Sequence, residues 1–160
     1  MNIPSFMKEG ASMIKALGLD VSDTKIGVAV SDGLGYTAQG VTTFNRTSLQ
    51  HDLVTIRQLI QENDVGEVVI GLPLHMDGHY SSQTKKVQSF CQYLARNLRV
   101  PVRTWDERLT TVQAIKILKK GRVRRKNRAF LIDKVAAIII LQGYLDWKNI
   151  MHDTNVAVSD

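Results

Sequence analysis

Residues 15–31, KALGLDVSDTKIGVAVS, decide the fold of this chain of 160 residues. Lys15–Val21 and Lys25–Ser31 are rich in Val, Ile and Leu, and this composition predicts two short strands. The Ser-Asp-Thr sequence between them, residues 22–24, has the residue types of a tight turn. We therefore expect an antiparallel pair of strands at the start of the fold, with the acidic residue Asp20 at the end of the first strand.

After this pair, strand and helix patterns alternate along the chain. A Val-Val-Ile run at 68–70 is apolar on both faces, as a central strand covered on both sides needs. Further strands are predicted at Gln39–Phe44, Glu67–Leu72 and Val100–Asp106, and helices at Thr47–Asn63, Ser82–Asn97, Thr111–Lys120 and about Asn127–Trp147. This order predicts one α/β domain of three layers, without internal repeats or an interdomain linker.

The two ends of the chain are predicted to lie outside this domain. Residues 1–14 are expected to be an N-terminal extension, 15–147 the domain, and 148–160, which carry no periodicity, a loose tail. Charged residues interrupt the extension where a signal peptide needs an unbroken apolar core, and the longest apolar run, Val135–Leu141, is far shorter than the roughly 20 residues that span a bilayer. We expect a cytoplasmic protein without membrane association, whose single cysteine, Cys91, is a buried core thiol.

Positive charge is concentrated in one segment. Between Lys116 and Lys134 there are nine Lys or Arg residues and one acidic residue, in a chain whose net charge is +6. Such a patch favours a polyanionic partner, with Arg122, Arg124 and Arg125 as candidate contacts, although a solvated loop without a partner would have the same composition. The patch alone does not distinguish DNA, RNA and acidic lipid.

Acidic residues in three parts of the chain could form one site. Asp20 ends the first strand, the Asp106-Glu107 pair ends the fifth, and Asp133 opens the last apolar helix. Each has an ordinary structural interpretation, as a turn former, an acid favoured by a helix dipole, or a first-turn acid. However, alanines three and four residues after Asp133 would let its helix approach the sheet closely and bring the three carboxylates together.

Such a cluster would need a cation. Two carboxylates about 4 Å apart repel each other by roughly 4 kcal/mol at an effective dielectric constant of about 20. Hard oxygen ligands without nearby Cys or His suit Mg²⁺ or Mn²⁺, and these ions activate water and stabilise the leaving oxygen of a phosphodiester. Together with the basic segment, the carboxylates predict phosphodiester hydrolysis.

Four ordered motifs carry a family resemblance. The stretches GLDVSDTKIGVAVSD (18–32), VVIGLPLHMDG (68–78), WDERLTT (105–111) and DKVAAIIILQGYLD (133–146) resemble the YqgF (RuvX) family, whose members are viewed as Holliday junction resolvases or as nucleases for the 5′ end of pre-16S rRNA. The resemblance covers about residues 15–147. It implies an RNase H-like three-layer fold, with a mixed five-stranded sheet flanked by helices, cytoplasmic placement and a role in ribosome biogenesis.

The resemblance also implies roles for single residues. The family's catalytic, metal-binding acids fall on Asp20, on the Asp106-Glu107 pair, where Glu107 is favoured, and on Asp133. Arg108 would suit either a phosphate contact or a structural ion pair.

Other positions are less settled. Lys25 occupies the family's basic position in the second strand, which implies a nucleic-acid contact. Ser22 stands where the family usually has Gly, so the local geometry for metal or phosphate is open. His75, Asp77 and His79 could ligate a transition metal, but loop histidines are more often surface groups.

Three functions follow from these observations. The leading hypothesis is a Mg²⁺- or Mn²⁺-dependent nuclease acting on structured RNA, the 16S precursor or a ribosomal subunit precursor that contains it. The second is a resolvase of four-way DNA, which normally needs a symmetric dimer. No dimer seam is evident, so a monomer or weak dimer is expected. The third is a non-catalytic RNA-binding assembly factor, whereas a sugar-kinase-like protein would need a second lobe.

Overall fold

The computed structural model describes residues 14–111 and 126–159. Within them the strands are β1 (Ala16–Val21), β2 (Lys25–Ser31), β3 (Ala38–Asn45), β4 (Glu67–Leu72) and β5 (Val102–Asp106), and the helices are α1 (Leu49–Glu62), α2 (Ser82–Asn97) and α3 (Lys126–Ser159), with a short 3-10 turn at Glu107–Leu109. The five predicted strands are confirmed to within two residues at each end. The predicted helix at Thr111–Lys120, apart from its first residue, and Arg122, Arg124 and Arg125 lie outside the described residues.

The sheet is mixed, with the strand order β3-β2-β1-β4-β5. β2 pairs antiparallel with both β1 and β3, whereas β4 pairs parallel with both β1 and β5. The predicted antiparallel start followed by a parallel half is therefore confirmed. Because β1, β4 and β5 run in the same direction, their carboxyl ends meet at one edge of the sheet, where open α/β sheets place their ligands.

Helices cover both faces of the sheet. α1 and α2 pack on one face around Leu17, Leu19 and Ile70, while α3 packs on the other face against Ala16, Ala29 and Val69. Side chains alternate along each strand, so β1 sends Leu17, Leu19 and Val21 to the first face and Ala16, Gly18 and Asp20 to the second. The three layers that the sequence predicts are present.

Small residues let α3 lie very close to the sheet. A Cβ added to Gly18 would be 2.7 Å from the Cβ of Leu141, a distance too short for unbonded carbon atoms. Ala136 and Ala137 of α3 are fully buried at this contact. The close approach of α3 that these alanines predict is therefore present, and a glycine of β1 makes room for it on the sheet side.

The predicted irregular tail from residue 148 is wrong, because α3 continues to Ser159. No Gly or Pro interrupts residues 148–159, so nothing in the local sequence ends the helix at Trp147. Two contacts fix the turn that follows Trp147. Lys148 Nζ lies 2.8 Å from Glu67 Oε1, and Asn149 Nδ2 donates to the carbonyl oxygen of Gly35 at 3.0 Å.

Two further expectations concern solvent and membrane. Cys91 is buried in α2, and burial raises the pKa of its thiol to about 12, so it is a core residue as predicted. In the parts of the chain that the structure describes, no helix has both the length and the apolar character needed to cross a bilayer.

Candidate active site

Asp20 lies at the carboxyl end of β1 between two glycines on the neighbouring strands. It pairs directly with Gly27 of β2. On its other side, Leu19 pairs with Ile70, so Gly71 of β4 stands next to Asp20. Adjacent strands are about 4.8 Å apart, and Asp20 is only 2% exposed. Its carboxylate is therefore buried between two positions that have no side chain.

Asp133 of α3 lies over the first of these glycines. A Cβ added to Gly27 would overlap the backbone carbonyl of Asp133, so the helix rests directly on the strand at this point. Residues that face each other across antiparallel strands project to the same face, so Asp20 also projects toward α3. Asp133 is 3% exposed. Two of the predicted acids are thus neighbours across the contact between β2 and α3.

Glu107, in the 3-10 turn after β5, lies over the second glycine. Its Oε1 would be 2.8 Å from a Cβ on Gly71, and the side chain is 1% exposed. Ile140 of α3 meets the same Cβ position, so this carboxylate is also on the α3 face of the sheet. Asp20, Glu107 and Asp133 therefore lie on the same face of the sheet, at the edge where β1, β4 and β5 end.

The three carboxylates suit a hard divalent cation in kind and surroundings. They are buried acidic groups with no Cys or His among them, and the missing side chains of Gly27 and Gly71 leave room for the Asp133 backbone and for the Glu107 carboxylate, respectively. As the side chains stand, however, no group of three or more His, Cys, Asp or Glu within residues 14–111 and 126–159 is placed to hold a metal ion.

Asp106 and Glu107 have different surroundings. Asp106 Oδ1 accepts a hydrogen bond from the Arg108 backbone N–H at 2.9 Å, and Arg108 Nη2 lies 2.7 Å from Asp106 Oδ2. The hydrogen bonds from Arg108 lower the pKa of the Asp106 carboxyl group, and the side-chain bonds between the two also raise the pKa of Arg108. Asp106 caps the 3-10 turn, while Glu107 lies over Gly71 on the sheet face that also carries Asp20.

Arg108 and the loop beyond β4 are connected. Of the two interpretations of Arg108, the structural ion pair is present, and Nη1 also donates to the Met76 carbonyl at 3.2 Å. In the same loop, His79 Nδ1 lies 2.7 Å from Asp77 Oδ2, and both side chains are mostly exposed. A hydrogen bond from the His79 backbone N–H lowers the pKa of Asp77.

Ser22, the departure from the family pattern, closes the hairpin turn. Its Oγ accepts a hydrogen bond from the Lys25 backbone N–H at 3.1 Å and donates to the Lys25 carbonyl at 3.0 Å. The serine side chain is therefore occupied within the turn and does not intrude on Asp20. Lys25, predicted to contact nucleic acid, is half-buried at the start of β2.

Arg46, a residue that the sequence motifs do not single out, fixes the same turn. Arg46 Nε lies 2.9 Å from Oδ2 of Asp52, a residue of α1 that is 1% exposed, and Nη1 donates to the Ser22 carbonyl at 2.9 Å. Its guanidinium lies 4.5 Å from the centre of the Phe90 ring. One feature of the sequence could have predicted this role of Arg46. Asp52 lies three residues after Leu49, on the apolar stripe of α1, and an acid buried there requires a cationic partner.

Proteins of known family match most of the chain. A family model described as "RuvX: Holliday junction resolvase" matches residues 14–147. A protein of Halothermothrix orenii named "Putative pre-16S rRNA nuclease" is 45% identical over 139 residues, covering 87% of this chain and 99% of the relative. A protein of Clostridium tetani with the same name is 48% identical over 133 residues, covering 83% and 96%.

Solved structures show the same fold at low sequence identity. The Thermus thermophilus RuvC in complex with a Holliday junction substrate matches with a TM-score of 0.53 and 11% identity, covering 85% of this chain and 97% of that chain. The yeast mitochondrial Holliday junction resolvase matches with a TM-score of 0.55 and 10% identity, covering 92% and 85%. The fold is the RNase H-like fold, as the motifs implied. With the family match over residues 14–147 and the identity of its relatives, the chain belongs to the RuvX family of nucleases.

Proposed function

We propose that this chain is a Mg²⁺- or Mn²⁺-dependent nuclease that processes the 5′ end of pre-16S rRNA in the cytoplasm. The observation that carries the proposal is the position of Asp20, whose two strand neighbours are glycines covered by Asp133 on one side and Glu107 on the other. The substrate is inferred from the names of relatives about 45% identical to this chain, which by those names act on pre-16S rRNA.

The residues of the site have separate tasks in this proposal. Asp20, Glu107 and Asp133 hold the metal, which when bound supplies an activated water and charge neutralisation at the leaving oxygen. Each acid is carried by a different rigid element, so their spacing is set by the packing of α3 on the sheet. The Arg108–Asp106 ion pair fixes the turn that orients Glu107. The solvent-exposed part of the Arg108 guanidinium remains available for a phosphate of the substrate.

Charge along the chain supports a polyanionic substrate. Asp133 lies within the basic segment 116–134, so the segment leads directly into the helix that carries this acid. Repulsion between the phosphates and the buried carboxylates is offset by the nearby Lys and Arg residues and by the bound cation. We propose that Lys25, Arg108, Arg122, Arg124 and Arg125 contact the RNA backbone.

The decisive experiment is cleavage of a pre-16S rRNA fragment by the parent chain and by Asp20→Asn, with Mn²⁺ or with EDTA. We expect Asp20→Asn to lower the rate by about 100-fold or more, because a charged ligand is removed from the reacting centre, while RNA binding persists. Asp146→Asn, an exposed acid on α3, is the matched control and should cleave like the parent. Equal rates for Asp20→Asn and the parent would refute the metal-site assignment.

A second candidate function has its own support in the description of the family model, which names a Holliday junction resolvase. A resolvase cuts two strands in concert and normally acts as a symmetric dimer. Incubation of the same preparations with a synthetic four-way DNA junction separates the two. Faster cleavage of the junction than of the rRNA fragment would favour the resolvase, and RNA binding without any metal-dependent product would favour a non-catalytic assembly factor.

A further inference from the structure

A cavity of about 350 Å³ opens beside the turn that follows Asp20, on the sheet face opposite α3. We call it the turn pocket and define it by Asp23, Arg46, Lys86, Phe90 and Tyr93. It lies between the β1–β2 turn, the start of α1 and the middle of α2. Its volume falls within the roughly 300–1,000 Å³ typical of small-ligand sites. The proposed function makes no use of it.

One wall of the turn pocket is rigid and cationic. Arg46 is held by Asp52, by the Ser22 carbonyl and by the face of the Phe90 ring, and its side chain is only 19% exposed. The Arg46 backbone N–H also donates to the Thr24 carbonyl at 2.8 Å. With these contacts already formed, the guanidinium would lose little conformational freedom when a ligand binds.

The pocket also has a second cation, Lys86, which can exchange its present partner for a ligand. Lys86 Nζ lies 3.5 Å from Asp23 Oδ1, and the two side chains are 63% and 61% exposed. An exposed ion pair of this kind contributes little to stability, so Lys86 can leave Asp23 and bind a phosphate oxygen at a small cost in free energy. Tyr93, one turn after Ser89 on α2, contributes a half-buried aromatic ring to the same pocket.

We propose that the turn pocket binds one unstacked nucleotide of a single-stranded RNA, with the base against Tyr93 and the phosphate on Lys86. This inference rests on the proposed function and adds a substrate subsite to it. Aromatic side chains interleaved with cations are the means by which proteins hold unpaired bases and their backbone, whereas duplexes present no exposed base face. The pocket therefore selects a single-stranded part of the substrate.

The distance to the acids allows one strand to reach both places. Asp23, one of the residues that line the pocket, is three residues after Asp20, so the Cα atoms of these two residues are at most about 11 Å apart. The pocket and the three carboxylates also share the edge of the sheet at which β1 ends. A strand that crosses this edge would place one nucleotide in the turn pocket and a phosphodiester a few nucleotides along at the acids.

The test measures binding of a fluorescein-labelled single-stranded RNA of about twelve nucleotides to the full chain in EDTA, by fluorescence anisotropy. Tyr93→Leu keeps apolar bulk but removes the ring, and Lys86→Ala removes the cation. We expect each variant to bind the RNA about fivefold or more weakly than the parent. We also expect Lys86→Ala to flatten the slope of log affinity against log salt by the amount that corresponds to the loss of about one phosphate contact. Tyr93→Phe and Lys85→Ala, an exposed neighbour outside the pocket, are the matched controls and should bind like the parent.

The outcomes separate this inference from the proposed function. If folded Tyr93→Leu or folded Lys86→Ala binds the RNA as tightly as the parent while the parent cleaves pre-16S rRNA, the subsite is refuted and the nuclease stands. Equally weakened binding in Lys85→Ala and Lys86→Ala would also refute it, because the effect would then be one of general charge. If the parent neither binds nor cleaves RNA, both proposals fail.

Discussion

Two glycines decide how close the three acids can come to one another. Gly27 and Gly71 flank Asp20, and a side chain at either position would meet a neighbouring acid residue. At Gly27 the obstacle is the backbone of Asp133, which cannot move without shifting α3. At Gly71 the obstacles are the ends of the Glu107 and Ile140 side chains. These glycines therefore set the geometry of the site although they contribute no functional group.

Gly71→Ala tests this role. The new methyl group would lie 2.8 Å from Glu107 Oε1, so we expect the carboxylate to be displaced and cleavage to fall by about tenfold or more. We also expect overpacking to lower the free energy of unfolding by about 1–3 kcal/mol, as measured by urea denaturation. Gly33→Ala is the control, because its Cβ would have no heavy atom within 4 Å. Parent-like cleavage by Gly71→Ala would show that Glu107 is not confined by this glycine.

The same residues show how far sequence can define the site. The three acids are predictable, because Asp20 and Asp133 stand out against apolar surroundings and Glu107 lies in a family motif. The choice between Asp106 and Glu107 requires coordinates: a period of two places them on opposite faces but does not say which face α3 covers. An isolated glycine within a strand pattern indicates close backbone approach, so Gly71 in Val-Val-Ile-Gly-Leu is a further signal that the sequence contains.

At the scale of elements, α3 connects the two ends of the sheet. Near its start it supplies Asp133, and about three and four turns later it supplies Tyr144 and Lys148, which converge on Glu67. Glu67 is 3% exposed at the start of β4 and also lies 3.2 Å from Arg103 Nε of β5. Burial, with the Glu67 carboxylate, raises the pKa of Tyr144 to about 12, so the phenol keeps its proton and donates a hydrogen bond.

Lys148→Ala tests whether the extended end of α3 holds the helix on the sheet. Removing one partner of a buried carboxylate leaves its charge less compensated, so we expect the free energy of unfolding to fall by about 1–2 kcal/mol. Urea denaturation at neutral pH measures it, with the exposed Lys85→Ala as the control for removal of a charge. If both variants unfold at the same urea concentration as the parent, the contact between Lys148 and Glu67 does not hold α3 on the sheet.

The end of α3 is the part of the fold that is hardest to predict from the sequence. In residues 148–159 the apolar residues do not recur at helical spacing, so periodicity gives no reason to extend the helix past Trp147. The contacts of its first residues are tertiary: Lys148 and Asn149 have partners on β4 and on the β2–β3 loop, far away in the sequence, and periodicity does not reveal them. The β1–β2 hairpin is predictable for the opposite reason, because its turn and both strands are specified by adjacent residues.

At the scale of the molecule, the distribution of charge matters more than its sum. The net charge is +6, and the basic segment 116–134 carries more than that excess by itself. Acidic side chains are buried at the sheet edge, and the basic segment contains one of them, Asp133, so we expect a phosphate backbone attracted to the segment to come near the carboxylates. A cation at the carboxylates would then reduce the remaining repulsion at the point of cleavage.

The final prediction follows from counterion release. Replacing Arg122, Arg124 and Arg125 by Gln should weaken binding of single-stranded RNA and flatten the slope of log affinity against log salt by about 0.7 for each phosphate that is no longer neutralised, or about 2 in total. The control replaces Lys85, Arg96 and Arg99, which are exposed on α2 or just after it, by Gln and removes the same charge. Anisotropy titrations in EDTA between low and physiological salt give both slopes. If the two triple variants have equal slopes, only the total charge attracts RNA and the basic segment is not the binding surface. A flatter slope in the first variant alone would mean that the polyanion binds where the chain enters the helix that carries Asp133.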